Sequence, residues 1–278
     1  AQDLGALRTQ LEARIRESGA EVGIYYRRLG GPASDSLLIN PDVRMHAAST
    51  MKVPVMIQVF RDAAAGRLRL DEPVPVRRTF SSIVDGSPYD LSEADDSDSS
   101  LYRRQGSTAT VRELLNLMIT VSSNLATNIL IERVDAARVT ATMRELGADS
   151  IQVRRGVEDG PAFRAGLNNT TTARDLGVIL VALADGWAAG PDATREMIDV
   201  LARQRFNDGI PAGLPAGTRV AHKTGWITRI HHDAAIVYPA RGPAYVLVVL
   251  TRGVEREADS ARLIADLSRL VYEGVRTR

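Results

Sequence analysis

Residues 46–60 read "HAASTMKVPVMIQVF", His46 to Phe60, and hold one of only two lysines in the chain. The other is Lys223, although lysine and arginine together number 35. A cation that only solvates a surface is served by either residue. A site that needs a compact ammonium, or an amine able to release its proton, cannot use arginine, which stays protonated in proteins. The run from Ser49 to about Gly66 reads as a largely buried helix, with Pro54 tolerable in its first turns. Ser49 and Lys52, three apart, then share one face of that helix.

Outward from this helix, the chain changes character twice. On the N-terminal side, "DLGALRTQLEARIRES" has apolar residues at helical spacing (Leu4, Leu7, Leu11, Ile15). "EVGIYYRRL" and "SDSLLIN" read as strands joined through Gly30 and Gly31. On the C-terminal side comes a helix-rich middle: "TVRELLNLMITV", "NLATNILIERV", "AARVTATMREL" and "TARDLGVILVALADG". Within it, "DGSPYDLSEADDSDSS" is acidic and serine-rich and is expected to be a solvated loop. Alternation returns in "TRVAHKTGW", "HHDAAIVYP" and "AYVLVVLTRG", three expected strands, and "EADSARLIADLSRLVYEGV" closes as an amphipathic helix. Strands at both ends around a helical middle imply an α/β (α+β) fold. An antiparallel sheet flanked by helices is built from residues 1–58 and 205–278, and residues 59–204 form an inserted all-helical domain.

Composition narrows the function classes. The 278 residues are enough for a substantial core. Hydrophobic content of 44% and charged content of 25% are ordinary for a soluble globular protein. A formal net charge of +1 does not suggest nucleic acid or an acidic membrane as partner. The chain has no cysteine, which excludes disulfides and thiolate metal sites. No apolar run approaches the roughly 18 residues of a membrane span. The opening "AQDLGALRTQ" lacks an initiator methionine, as a secreted protein would after signal removal.

Three short motifs carry chemistry. In S-x-x-K, Ser49 lies near a helix N-terminus, where free N–H groups favour negative charge, and Lys52 can accept its proton if burial or a second cation lowers its pKa. In "VSSNLATN", Ser122 and Asn124 can relay a proton and hold a substrate amide; Ser123 or Asn124 also suits a plain helix N-cap. In K-T-G, Lys223 offers a fixed positive charge and Thr224 a hydroxyl. Gly225 permits close approach to the strand, and the N–H of Trp226 is a possible oxyanion donor. No G-x-S-x-G is present, so an α/β-hydrolase elbow has no basis.

S-x-x-K, S-x-N and K-T-G occur in that order and take up both lysines. The chain thereby resembles the serine β-lactamase and penicillin-binding superfamily, class A β-lactamases most closely, over most of its length. The resemblance implies Ser49 as acylated nucleophile, Lys52 as its proton partner and Ser122 as proton relay to the leaving nitrogen. It implies Asn124 as the residue holding the substrate's side-chain amide, with Lys223, Thr224 and Gly225 at the substrate carboxylate. The backbone N–H groups of Ser49 and Trp226 would form the oxyanion hole. It further implies a small-molecule substrate (a β-lactam or an acyl-D-alanyl-D-alanine peptide), no cofactor or metal, action as a monomer, and a periplasmic or secreted location.

One departure matters. Class A enzymes carry a deacylating glutamate in an E-x-x-L-N segment of the omega loop, and the nearest match is "RAGLN", Arg164 to Asn168, in a shortened loop. A guanidinium cannot act as a general base, so weak or atypical turnover is expected. Glu158 in "GVEDG" is a candidate replacement, although Glu158 and Asp159 also read as turn chemistry. Two rivals follow from the same resemblance: a D-alanyl-D-alanine peptidase or esterase, and a sensor domain that holds a β-lactam covalently. Of the remaining candidates, His231 and His232 point to opposite strand faces and read as structural. Arg229, Arg241 and Arg252 are possible carboxylate partners, and Tyr102 a possible wall of the cleft.

Overall fold

The computed structural model describes residues 4–275; Asp3, the expected start of the first helix, lies outside the described residues. Five strands, β1 (Glu21–Arg28), β2 (Ser36–Ile39), β3 (Arg219–Ile227), β4 (Ile230–Tyr238) and β5 (Tyr245–Arg252), pair antiparallel in the order β2-β1-β5-β4-β3. The helices are α1 (Leu4–Ser18), α2 (Lys52–Ala64), α3 (Val111–Thr120), α4 (Asn124–Val134), α5 (Ala136–Glu145), α6 (Gly160–Arg164), α7 (Ala173–Ala184), α8 (Pro191–Leu201) and α9 (Glu257–Val275). This is the α+β arrangement expected from strands at both ends of the chain.

Both faces of the sheet are covered, which is why "YVLVVL" in β5 is apolar without a break. One face sets Ile24, Tyr26, Leu247 and Val249 against Leu7 and Leu11 of α1 and Leu263 and Leu267 of α9. Their chain neighbours Tyr25, Val246, Val248 and Leu250 point the other way, into a larger core shared with α2, α4 and α7. Gly177, in the middle of α7, makes that contact possible: a Cβ there would lie 2.2 Å from the Tyr25 ring.

Helix α2 runs through the larger core and is buried almost all round, including Val53, Val55, Met56, Ile57 and Val59. Each such side chain contributes about 1.5–3 kcal/mol on burial. The expected single helix from Ser49 begins instead as a 3-10 turn, Ala48–Met51. Pro54 has no N–H to offer the carbonyl of Thr50, so α-helical bonding starts late, and Thr50 N–H closes the preceding turn on the Ala47 carbonyl at 3.1 Å. The consequence is local: a tight, rigid turn carries Ser49 into the groove between sheet and helices.

The acidic segment is largely exposed, as a solvated loop should be, but it is more ordered than its composition suggests. It contains a short strand, Pro88–Asp90, paired with Thr79–Ser81, and a 3-10 turn, Glu93–Asp95. Leu91 is buried, and Asp96 folds back to receive the N–H groups of Asn124 and Leu125, both at 2.9 Å. The first turn of α4 has free N–H groups and a positive dipole end, and a carboxylate from elsewhere satisfies them.

Candidate active site

The turn bearing Ser49 is held from three directions. Ala48 adopts φ +46, a strained value for a residue with a Cβ, and its N–H donates to His46 Nδ1 at 3.0 Å. Burial and the Arg155 cation push His46 down to about 4, so its ring is neutral near pH 7 and free to accept. Strand β3 presses on the turn through Gly225, where a Cβ would lie 3.0 Å from the backbone nitrogens of both Ser49 and Thr50. The glycine of K-T-G is therefore required by the Ser49 turn itself, rather than only by a ligand passing the strand.

The two lysines meet at one hydroxyl. Lys52 Nζ donates to the Ser122 carbonyl (2.7 Å), Ser122 Oγ (3.1 Å) and Asn124 Oδ1 (3.0 Å). Lys223 Nζ donates to the same Ser122 Oγ (3.1 Å) and to the Thr224 carbonyl (3.0 Å). Both lysines are fully buried. With its two lone pairs engaged, Ser122 must direct its own O–H away from both lysine nitrogens. Its backbone is also strained, at φ +58. Ser123, not Ser122, supplies the α4 N-cap by accepting the Ala126 N–H. The functional and capping readings of "VSSN" thus fall on neighbouring residues.

Burial lowers Lys52 to about 7, with the Asp96 and Glu158 carboxylates pulling the other way. Lys223 is pushed well below the usual lysine range by burial and by the neighbouring Lys52 cation, and Asp233 opposes the shift. An anion arriving beside it would favour its protonated form. Asp233 pairs across the strands with Thr224 and is itself tied to His222 Nδ1 at 2.9 Å.

Glu158 enters the site. It holds φ +62, it accepts from Asn124 Nδ2 at 2.9 Å, and burial with the nearby Asp95 and Asp96 charges raises its pKa. Lys52, Asn124 and Glu158 thus form a continuous hydrogen-bonded chain. Asp159 stays structural: its carboxylate caps α6 and receives Ser82 Oγ and the Ile83 N–H. Arg164 is exposed on α6. The loop is fixed by Arg155, whose guanidinium donates to the carbonyls of Gly156 and Leu167 and to Asn168 Oδ1.

A cleft of about 890 Å³ contains Ser49, Ser122, Asn124, Glu158, Thr224 and Trp226 among its lining residues. Arg229, Arg241 and Arg252 are not among them. Arg229 pairs with Glu255 and Arg252 with Glu21, because both lie at the end of the sheet where those acids project. Tyr102 donates to Asp96 Oδ2 at 3.1 Å instead of walling the cleft. His231 bonds Ser260 and His232 bonds the His46 carbonyl. Asp96 and His46 had no role in the sequence reading. No local pattern marks Asp96 as the cap of a helix that starts 28 residues later.

The sheet, the central buried helix and the cleft between them define a protein of the β-lactamase/transpeptidase class. Its sequence matches the profile of the β-lactamase enzyme family over residues 6–275, and the chain belongs to that family. A β-lactamase of Bacteroides uniformis is 27% identical, the match covering 99% of this chain and 93% of that one. The crystal structure of a β-lactamase from Sphaerobacter thermophilus superposes with a TM-score of 0.82 at 26% identity, covering 99% of this chain and 97% of that one. A mutant of PBP-A, solved as an acyl-enzyme complex with penicillin G, gives 0.81 at 27% identity over 97% of this chain and 96% of that one.

Proposed function

We propose that the protein is a serine hydrolase that opens β-lactam rings through an acyl-enzyme on Ser49. The observation that carries this reading is the Ser122 hydroxyl, bridging two fully buried lysines at 3.1 Å each. Lys52, near neutrality at about 7, takes the Ser49 proton as the oxygen attacks the lactam carbonyl. The oxyanion is received by the N–H groups of Ser49 and Trp226. The C–N bond breaks as Ser122 passes its outward proton to the nitrogen and is recharged from a lysine ammonium. Lys223 and Thr224 take the substrate carboxylate, whose charge favours the protonated form of Lys223. Asn124 holds the side-chain amide.

Deacylation needs a base for water, and Glu158 is our candidate. It has the raised pKa such a base requires, and it stands one residue, Asn124, away from Lys52. Its hydrogen bond to Asn124 also competes with substrate, which supports slow turnover. A D-alanyl-D-alanine peptidase or esterase is the second reading, favoured by the arginine at position 164 and by the similarity to PBP-A. Action outside the cytoplasm as a monomer, and a role in antibiotic resistance, belong to the same proposal.

The test is a time course with excess chromogenic cephalosporin alongside intact-protein mass. Sustained turnover supports the β-lactamase reading. One stoichiometric burst with a stable adduct on Ser49 favours the peptidase reading. In Glu158→Gln we expect acylation to persist and deacylation to slow about 10²-fold or more; unchanged turnover would remove Glu158 from the mechanism.

A further inference from the structure

Resting on the reading of Ser49 as the acylated serine, we infer that the mouth of the cleft selects acyl groups carrying an aromatic ring and a positive charge. Asp95 is the residue that determines the charge preference, and Trp226 is the platform for the ring. Asn124, the proposed holder of the acyl amide, is surrounded by acids. Its Nδ2 donates to Glu158 and lies 3.5 Å from the Asp95 carbonyl. The Asp95 side chain is exposed at the cleft lining, and it forms no ion pair among the described residues.

Other acids of the chain are matched with arginine, as Glu21 is with Arg252, Asp62 with Arg67 and Arg138, and Glu113 with Arg104. Around the cleft, Asp95, Glu158, Asp208 and Glu257 all lack such a partner among the described residues. Arg155, the arginine that lines the cleft, directs its donors to the loop around it. Along this wall the carboxylates outnumber the one arginine, and an excess of one sign concentrates ligands of the other.

The apolar component is equally localised. The chain has four phenylalanines and two tryptophans. Phe163, Phe206 and Trp226 line this one cleft while 58%, 39% and 53% exposed. Large apolar side chains left open together mark a binding surface, and aromatic faces beside carboxylates suit a ring that bears an ammonium.

Three penicillins test this, sharing a phenyl ring and nucleus but bearing hydrogen, ammonium or carboxylate on the side-chain α-carbon: benzylpenicillin, ampicillin and carbenicillin. The readout is the second-order rate of Ser49 acylation, taken as kcat/KM where the enzyme turns over and as adduct formation by intact mass where it does not; it is independent of deacylation. At low salt we expect ampicillin to acylate about tenfold faster than carbenicillin, with benzylpenicillin between them and the gap narrowing as salt is added. Asp95→Asn should cut the ampicillin-to-carbenicillin ratio at least threefold. Trp226→Ala should slow benzylpenicillin more than a penicillin with an acetyl side chain. Equal rates for ampicillin and carbenicillin, or a ratio untouched in Asp95→Asn, would overturn the charge preference while leaving the acyl-enzyme reading intact. Equal slowing of both side chains in Trp226→Ala would overturn the aromatic platform. The absence of both turnover of any penicillin and an adduct on Ser49 would overturn the acyl-enzyme reading and this inference with it.

Discussion

Replacing Gly225 by alanine asks the most of the active-site geometry for the smallest chemical change. The new methyl would sit 3.0 Å from the nitrogens of Ser49 and Thr50 and 3.1 Å from Thr50 Cγ2. Ordinary contact begins near 3.4 Å, so strand and turn must part by about 0.4 Å. Two of the three neighbours are backbone, locked between Ala48 at φ +46 and the buried start of α2, so no side chain can swing aside. Alanine brings no backbone penalty of its own, since Gly225 lies outside the left-handed region. The strain should cost the fold about 1–2 kcal/mol. A misplacement of about 1 Å costs a reaction roughly 10²-fold, and outright loss of an oxyanion donor about 10²–10³-fold. A shift of a few tenths of an ångström at the Ser49 N–H should therefore slow acylation about 10- to 100-fold, or about 1.4–2.7 kcal/mol. Single-turnover kinetics with a chromogenic cephalosporin measures this, and thermal unfolding on the same sample shows that the protein remains folded. A folded Gly225→Ala protein that acylates at the parent rate would refute the placement of the Ser49 N–H in the reacting geometry.

The other expectations concern the lysines and the packing beneath them. Lys52→Arg should abolish acylation, by about 10³-fold or more, because a guanidinium cannot accept the serine proton; an intact-mass adduct forming at the normal rate would contradict the role of Lys52. The second-order rate of acylation should rise with pH through a midpoint near 7, since the free amine of Lys52 is the reactive form. The Asp96 carboxylate holds that pKa up, so Asp96→Asn should move the rising limb to lower pH, and a shift upward would reverse the electrostatic account. Gly177→Ala puts a methyl 2.2 Å from the Tyr25 ring and should lower stability by about 2–3 kcal/mol in denaturant titration, with partial recovery on adding Tyr25→Val.

Sequence and structure agree most closely where chemistry or periodicity is local. The scarcity of lysine singled out Lys52 and Lys223, and "HHDAAIVYP" and "AYVLVVLTRG" marked the strands β4 and β5. What escaped was set by distant packing. That one hydroxyl serves both lysines depends on α4 meeting α2 and β3 at Ser122, a contact across 70 residues in one direction and 101 in the other. The acidic segment looked solvated because carboxylates are expensive to bury alone. Asp96 escapes that cost by accepting two N–H groups and the Tyr102 hydroxyl, partners that composition does not reveal. Gly225 was legible as a close approach, but not that the approaching group is the Ser49 turn. Arg229 and Arg252 lie at the sheet end that also carries Ile227, but Glu255 and Glu21 engage their guanidinium groups, partners that strand patterning does not reveal.

The burial of both lysines also makes this protein an unusual target for amine chemistry. Among the described residues the folded chain presents no primary amine to solvent, because Lys52 and Lys223 are 0% exposed. General acylating reagents, and proteases that cut after lysine, must wait until the groove between sheet and helices opens. Labelling of Lys52 and Lys223, resolved by peptide mass, would then report the opening of that groove without an introduced probe. A β-lactam that protects both residues from labelling would show occupancy whether or not it is turned over.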